Sequence, residues 1–354
     1  MQGAVFTGGR KVTLETFDDP VPGEGEVIVE IKASGMCGSD LHFYRADGGA
    51  PEMARKLGLG GDGELKINGH EPCGVVAARG PGVPEKHAPT GQRVTVHHYA
   101  GCETCPDCKE GWSQLCRVGP MQVFGVTGHG AHAQYMKVPA FTLVPLPDEV
   151  SFEVGAALSC GTTTAYGALK RMNMTGGKTL AIFGQGPVGL SGVALAKAMG
   201  LDVIALDVSD DRLALATRCG ADDVINVANE DAVEGLRKRT GGRGVHYALE
   251  ASANEDARIA SIRGTRVWGT VAFVGEGGQV TVDVSPDLLR RQLTLIGSWT
   301  FSSGIQGECT RFVADNGVDI GALITDTWPL SQIDEAYRKF DQQQMGKGII
   351  RPGA

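Results

Sequence analysis

The sequence predicts an α/β protein in two parts, a β-rich first part and a second part built on a doubly wound parallel sheet. Three observations carry this. Up to about residue 155 the chain shows short strands punctuated by glycine and proline. Beyond that point short apolar strands alternate with helical stretches. A G-x-G-x-x-G turn joins the first of those later strands to its helix.

In the first part Val27–Ile31, Gly74–Ala78 and Gln92–Val96 read as strands. The stretch Arg45–Gly69 is glycine-rich, carries a short Met53–Leu57 run and reads as a long loop, a length that is usually functional. In the second part Thr179–Phe183, Leu201–Asp207, Asp223–Asn226, Val245–Glu250, Thr270–Val274 and Leu293–Ser298 are the predicted strands. Helices are predicted over Pro187–Met199, Asp210–Cys219 and Glu230–Thr240. After residue 298 the pattern is mixed, with a helix over Ser331–Phe340 and a closing strand Gly348–Arg351. The domain expectation is 1–160 with 299–354 returning to it, and 161–298 as the second domain; the 354 residues give room for two domains of about 150 each.

The formal charge of −8 argues against nucleic acid as a partner. No stretch reaches the ~20 apolar residues of a membrane helix, and the N-terminus lacks the basic and apolar regions of a signal peptide. The expectation is a soluble cytoplasmic protein with no membrane partner. In that reducing compartment the nine cysteines suit metal binding better than disulfides.

Cys102, Cys105, Cys108 and Cys116 follow C-x2-C-x2-C-x7-C. Four thiolates fill a tetrahedral zinc shell and leave no open position, so this set reads as structural; an iron–sulfur cluster is the lesser alternative. Gly184-Gln185-Gly186-Pro187-Val188-Gly189 follows an apolar strand and opens a helix, the context a dinucleotide fingerprint requires. Its glycines permit a tight turn and close approach of a pyrophosphate to the helix N-terminus. Asp207 ends the next strand, where a carboxylate accepts from ribose hydroxyls and repels a 2′-phosphate, so NAD is favoured over NADP; Arg212 softens that discrimination. The competing reading is that Asp207 merely caps the following helix.

Cys37, His70, Glu71 and Cys160 are too far apart in sequence for spacing to join them, but their flanks do. Gly35-Met36-Cys37-Gly38-Ser39-Asp40-Leu41-His42, Gly69-His70-Glu71 and Leu158-Ser159-Cys160-Gly161-Thr162-Thr163-Thr164 resemble, in order, three motifs of the zinc-dependent alcohol dehydrogenases of the medium-chain dehydrogenase/reductase family. The cysteine cluster, the glycine motif and Asp207 resemble that family's structural-zinc lobe and coenzyme domain. The resemblance implies a GroES-like catalytic domain over 1–160, a Rossmann NAD-binding domain over 161–298, and two zinc ions per chain, one structural and one catalytic. It implies Cys37, His70 and Cys160 as catalytic-zinc ligands, with water or substrate in the fourth position. The metal would act as a Lewis acid on an alcohol whose hydride passes to NAD. Glu71 is either a further ligand or a partner behind the ligands.

Ser39 is expected to accept the substrate hydroxyl proton and His42 to pass it to solvent, since a histidine titrates near about pH 6.5. Asp40 is expected to orient His70. Cys73, Cys219 and Cys309 read as buried small hydrophobes, His97 and His98 as strand residues, and His132 as packing; Trp299 and Phe301 are candidates to approach cofactor or substrate. The leading function is oxidation of a secondary alcohol or diol to a ketone with NAD, by a homodimer or homotetramer; polyols, L-threonine and primary alcohols are rival substrates. A zinc-free relative or a zinc-binding interaction module leaves one or other motif set unexplained. The stretch between Cys37 and His70 is longer than is typical of the family and is expected to reshape the substrate pocket.

Overall fold

The structure, a computed structural model, describes residues 1–59, 63–119, 121–343 and 345–353. The chain divides into two compact units, Met1–Cys160 with Phe301–Asp315 and Ile324–Ala354, and Gly161–Thr300 with Asn316–Leu323. The sequence pattern places all of 299–354 with the first part. Trp299, Thr300 and Asn316–Leu323 instead belong with the second unit, where the turn Ile320–Leu323 packs against the helix Pro187–Ala198.

The first unit is built on a mixed sheet. Its strands run in the order Ile324–Pro329, Lys347–Arg351, Glu26–Gly35, Glu71–Arg79, Arg93–Val96 and Leu143–Pro145, and Tyr135–Pro139 also pairs with Glu26–Gly35. Alternate residues Val27, Val29 and Ile31 face one core together with Val76, Val94, Val96, Met136 and Val138, as the period-2 pattern requires. The register sets Gly35 opposite Glu71 on one side and Ile349 on the other, so three distant segments end at one place. A second core gathers Phe6, Met36, Tyr44, Tyr337 and Phe340.

The stretch read as a loop over Arg45–Gly69 contains a helix, Gly49–Lys56, which follows directly on a short helix Asp40–Arg45. Ala50 and Ala54, four apart, are buried on one face, with Met53 beside them. Glycines at both flanks hid this short period from the sequence pattern. Gly60–Asp62, part of the same stretch, lie outside the described residues.

The second unit holds six parallel strands in the order Asp223–Asn226, Asp202–Asp207, Thr179–Phe183, Val245–Glu250, Thr265–Phe273 and Thr294–Gly297. The order reverses at Thr179–Phe183, whose Leu180, Ala181 and Ile182 are fully buried, as in a sheet covered on both faces. Ser209, Asp231 and Asn254 cap three of its helices by accepting the N–H three residues on. The fifth strand starts at Thr265, earlier than the alternation indicated, because a register shift interrupts it near Val245–Tyr247 of its neighbour. Among the described residues no helix is long and apolar enough to cross a membrane.

Candidate functional site

The first unit brings Cys37, His70, Glu71 and Cys160 together: one donor atom of each lies within 4.8 Å of all the others, and all four residues are buried. Cys37 follows the strand Glu26–Gly35, His70 precedes the strand Glu71–Arg79, and Cys160 follows the helix Phe152–Leu158 that packs on both strands. The sulfurs of Cys37 and Cys160 are 3.9 Å apart. Two thiolates about 2.3 Å from a tetrahedral zinc stand about 3.8 Å from each other, so the spacing fits that ion.

His70 turns its Nδ1 to the Asp40 carboxylate at 2.8 Å, as expected from the sequence, which leaves Nε2 facing the donor set with Ser39 Oγ at 3.3 Å. The other Asp40 oxygen accepts from the Cys37 backbone N–H and the Tyr337 hydroxyl, each at 2.9 Å. Because Tyr337 donates to Asp40, its oxygen accepts from His132 Nε2 at 2.7 Å, and His132 Nδ1 then accepts from Ser34 Oγ at 2.8 Å. Burial pulls His132 down to about 4, which keeps that ring neutral with the single proton this order needs. His132 is thus a packing residue as expected, but it also ends a buried chain leading to the donor set.

The hydrogen bond from Cys160, with His70 and Lys347 adding to it, takes the Cys37 thiol well below the usual range against burial; Cys160 is pushed up for the mirror-image reason. Burial opposes a charge on His70, but Asp40 and Cys37 outweigh it and raise the ring. Two sulfurs, an imidazole and a carboxylate packed this closely out of water are a donor set that a divalent cation neutralises.

Glu71 forms a fully buried ion pair with Lys347. A Cβ at Gly35 would meet Glu71 Oε2 at 1.9 Å, so glycine there makes room for the carboxylate. Burial pushes the carboxyl up to about 7 against the pull of Lys347. The carboxylate therefore stands in the donor cluster and against a lysine at once. Sequence reasoning missed Lys347; the available signal was a lone charge inside the apolar run Met345–Ile350. It also missed Tyr337 and His98. His97 and His98 lie between the strands Arg93–Val96 and Tyr99–Ala100, and the His98 ring centroid is 5.1 Å from that of His70. His98 Nδ1 donates to the Ser159 carbonyl at 2.9 Å. Phe301 is fully buried against both histidine rings, while Trp299 is exposed. Cys73, Cys219 and Cys309 are buried. His42 sits on the exposed face of the helix Asp40–Arg45, and Ser39 is half-buried just before it.

Cys102, Cys105, Cys108 and Cys116 form the second cluster, again with all donor atoms within 4.8 Å. Cys102 and Cys108 are 3.9 Å apart, the same tetrahedral spacing. The Thr104 hydroxyl and the Cys105 backbone N–H both donate to Cys102 Sγ at 3.3 Å. Those bonds, Thr104's foremost, take the Cys102 thiol down to about 6, the form a metal needs. The set fits a closed four-sulfur shell.

In the second unit Gly184 has φ +86°, and a Cβ on it would meet Ser252 at 2.7 Å. A Cβ on Gly189 would meet the Gly184 carbonyl at 1.9 Å, whereas one on Gly186 would meet nothing within 4 Å. The turn is thus tight at its ends and bare at its centre, at the N-terminus of the helix Pro187–Ala198 where Pro187 and Val188 begin the first turn. Asp207 is buried; its carboxylate accepts from the N–H groups of Gln185 at 2.6 Å, Val208 at 2.8 Å and Ser209 at 3.1 Å, and Arg212 Nη1 stands 4.0 Å away. The helix after it is capped by Ser209, not by Asp207. The residues fit a dinucleotide held between the glycine turn and this carboxylate.

Comparison with known proteins agrees. Residues 23–148 match the alcohol dehydrogenase GroES-like domain and residues 187–315 the zinc-binding dehydrogenase domain. The chain is 34% identical to YphC, a zinc-type alcohol dehydrogenase-like protein of Escherichia coli K12, over 99% of this chain and 98% of that one. It is 33% identical to the sorbitol dehydrogenase of Bacillus subtilis, over 96% and 93%. Among solved structures, acetophenone reductase from Geotrichum candidum, in complex with NAD, superposes with a TM-score of 0.82 at 27% identity, covering 99% of this chain and 96% of that one.

Proposed function

Because the chain belongs to the zinc-dependent alcohol dehydrogenases of the medium-chain dehydrogenase/reductase family, we propose that it oxidises a secondary alcohol or vicinal diol to the ketone, reversibly, and passes the hydride to NAD. The observation that carries this is the buried set of two cysteines and a histidine whose imidazole is oriented by Asp40. When bound there, zinc supplies a Lewis acid that makes the substrate hydroxyl more acidic. Cys37, His70 and Cys160 would hold it; Glu71 is available to join them or to stay with Lys347. A second zinc would fill the four-cysteine lobe. Ser39 accepts the hydroxyl proton and His42 delivers it to water. Gly184, Gly186, Pro187, Val188 and Gly189 receive the pyrophosphate, and Asp207, with Arg212 beside it, receives the adenosine ribose and selects NAD. The enzyme works in the cytoplasm as a homodimer or homotetramer; the exposed edge strand Thr294–Gly297 offers a pairing surface.

A polyol substrate is the second reading, favoured by the sorbitol dehydrogenase relative. A panel of secondary alcohols, diols, polyols and threonine, assayed with NAD and NADP, separates the readings. The expected result is highest kcat/KM for a secondary alcohol or diol with NAD and two zinc ions per chain. Equal use of NADP, or one zinc in fully loaded protein, would overturn those parts. Asp207→Gly should narrow the NAD preference by removing both the ribose contact and the repulsion.

A further inference from the structure

A dinucleotide laid across the carboxyl ends of a doubly wound sheet places one nucleotide over each half. With the adenosine at Asp207, the nicotinamide half falls over the ends of Val245–Glu250 and Thr265–Phe273. Two loops leave the sheet there, Ala251–Asn254 and Val274–Gly278. Neither carries a residue that the function above uses, yet both hang from one buried ion pair.

Glu250 is fully buried. Its Oε1 accepts from the Ser252 N–H at 2.6 Å, the Ser252 hydroxyl at 2.5 Å and the Ala253 N–H at 2.9 Å, and Ala253 is held at φ +62°. Its Oε2 faces Arg258 Nε at 3.4 Å. Arg258 is 6% exposed; its Nη2 donates to the carbonyls of Gly275 at 2.7 Å and Gly277 at 2.6 Å, and its guanidinium lies 5.5 Å over the Phe273 ring. The fit is close on every side. Ser252 is the residue a Cβ on Gly184 would strike, and a Cβ on Gly275 or Gly278 would meet the Ala253 backbone at 2.3 or 2.4 Å. A buried ion pair adds little net stability over an apolar replacement; what it supplies is one fixed arrangement.

We propose that Glu250 and Arg258 are positioning residues. Their ion pair locks the Ser252–Ala253 turn against the phosphate turn, hangs the glycine-rich loop Gly275–Gly278 from the paired guanidinium, and so shapes the nicotinamide half of the coenzyme site without touching the adenosine half. This rests on the NAD reading above. The test is binding to the full-length, zinc-loaded protein, with NADH followed by its fluorescence and AMP by calorimetry. Arg258→Lys keeps the charge opposite Glu250 but cannot span both carbonyls; Glu250→Gln combined with Arg258→Met removes the pair without stranding a buried charge. Both should weaken NADH roughly tenfold, the scale of a lost charge-assisted hydrogen bond, while AMP affinity stays within about twofold of the parent. Unchanged NADH affinity in either variant overturns the proposal and leaves the NAD reading standing. An equal loss for AMP and NADH also overturns it, since the pair would then serve only to hold the unit together. A parent that binds neither NADH nor AMP removes the NAD reading and the proposal with it.

Discussion

The lobe at Cys102–Cys116 draws its four donors from one short stretch and leaves three of them part-exposed. Cys37, His70, Glu71 and Cys160 come from three distant stretches and are all buried. Around the lobe, the sulfur of Cys102 is held by groups two and three residues away. Around the other set, Asp40, Tyr337, His132, Ser34 and Lys347 form a surrounding shell gathered from both ends of the chain. A closed shell can be written into a loop. A set whose donors come from distant stretches needs them held by the whole unit, because no single loop restrains them.

The sharpest way to break this comparison is to remove one sulfur from each set. Cys160→Ala should lower kcat by roughly a thousandfold or more, because Lewis-acid stabilisation amounts to several kcal/mol, with little change in thermal unfolding. Cys105→Ser should do the reverse, lowering Tm or assembly while the correctly folded fraction keeps most of its kcat. Zinc content, kcat and Tm measured together decide it, and equal losses of stability in the two variants would erase the distinction.

Next in size is the shell around the buried set. Asp40→Asn should cost about 10–100-fold in metal affinity or activity, the usual effect of losing a group that orients a ligand. Tyr337→Phe removes a donor to Asp40 and an acceptor from His132, and should lower stability by about 1–3 kcal/mol with a smaller loss of activity. Around Cys102 the donors are local, so Thr104→Val should change zinc retention far less than Asp40→Asn does. Chelator-release rates from the two zinc-loaded clusters are the measurement.

The same contrast explains what could be read in the sequence. The lobe was legible because two-residue gaps are a local geometric signal, and the glycine turn because it sat between a strand and a helix. Cys37, His70 and Cys160 were reached only through the resemblance of their flanks. Tyr337 was hidden because, at helical spacing from Ile333 and Phe340, it reads as core, and core is also what it is; nothing in that spacing reports the hydroxyl's partner. Lys347 depended on a register pairing Ile349 with Gly35, which no window of sequence contains. The helix Gly49–Lys56 was missed because only two turns of pattern stood between glycines.

A pH titration of stability sharpens the comparison further. Burial pulls His97 and His132 down to about 4 from an ordinary 6.5; Gln306 opposes the shift at His97, and Asp40 opposes it at His132 while His70 adds to it. Between those limits the unfolded chain binds protons that the folded chain does not. Stability therefore rises with pH through the window, is complete above about 6.5 and is lost as pH falls toward 4, at about 3 kcal/mol per ring. His132→Gln should start less stable near neutral pH but lose less on acidification than the parent. Urea midpoints from pH 7 to 4.5 read this directly, and parallel curves for parent and variant would refute it.

The smallest expected effect concerns His42, the exposed residue of the proposed proton relay. Proton release needs a path out of the buried donor set, and the proposed one starts at Ser39, half-buried with its Oγ 3.3 Å from His70 Nε2. His42 lies one helical turn on and is exposed. General acid–base groups contribute roughly 10²–10⁴-fold, but water reaches an exposed histidine and can replace it, so His42→Gln should cost about tenfold. The loss should be greatest at low pH, where hydroxide is scarce, and added imidazole should recover part of it. Ser39→Ala should cost more, since it removes the hydroxyl 3.3 Å from His70 that takes the proton first in the proposed relay, and should leave zinc content unchanged. The decisive comparison is the pH–rate profile under conditions where chemistry limits turnover, established by a deuterium isotope effect on the transferred hydride. If His42→Gln then traces the parent's profile, the proton leaves by another route and His42 is a surface residue only.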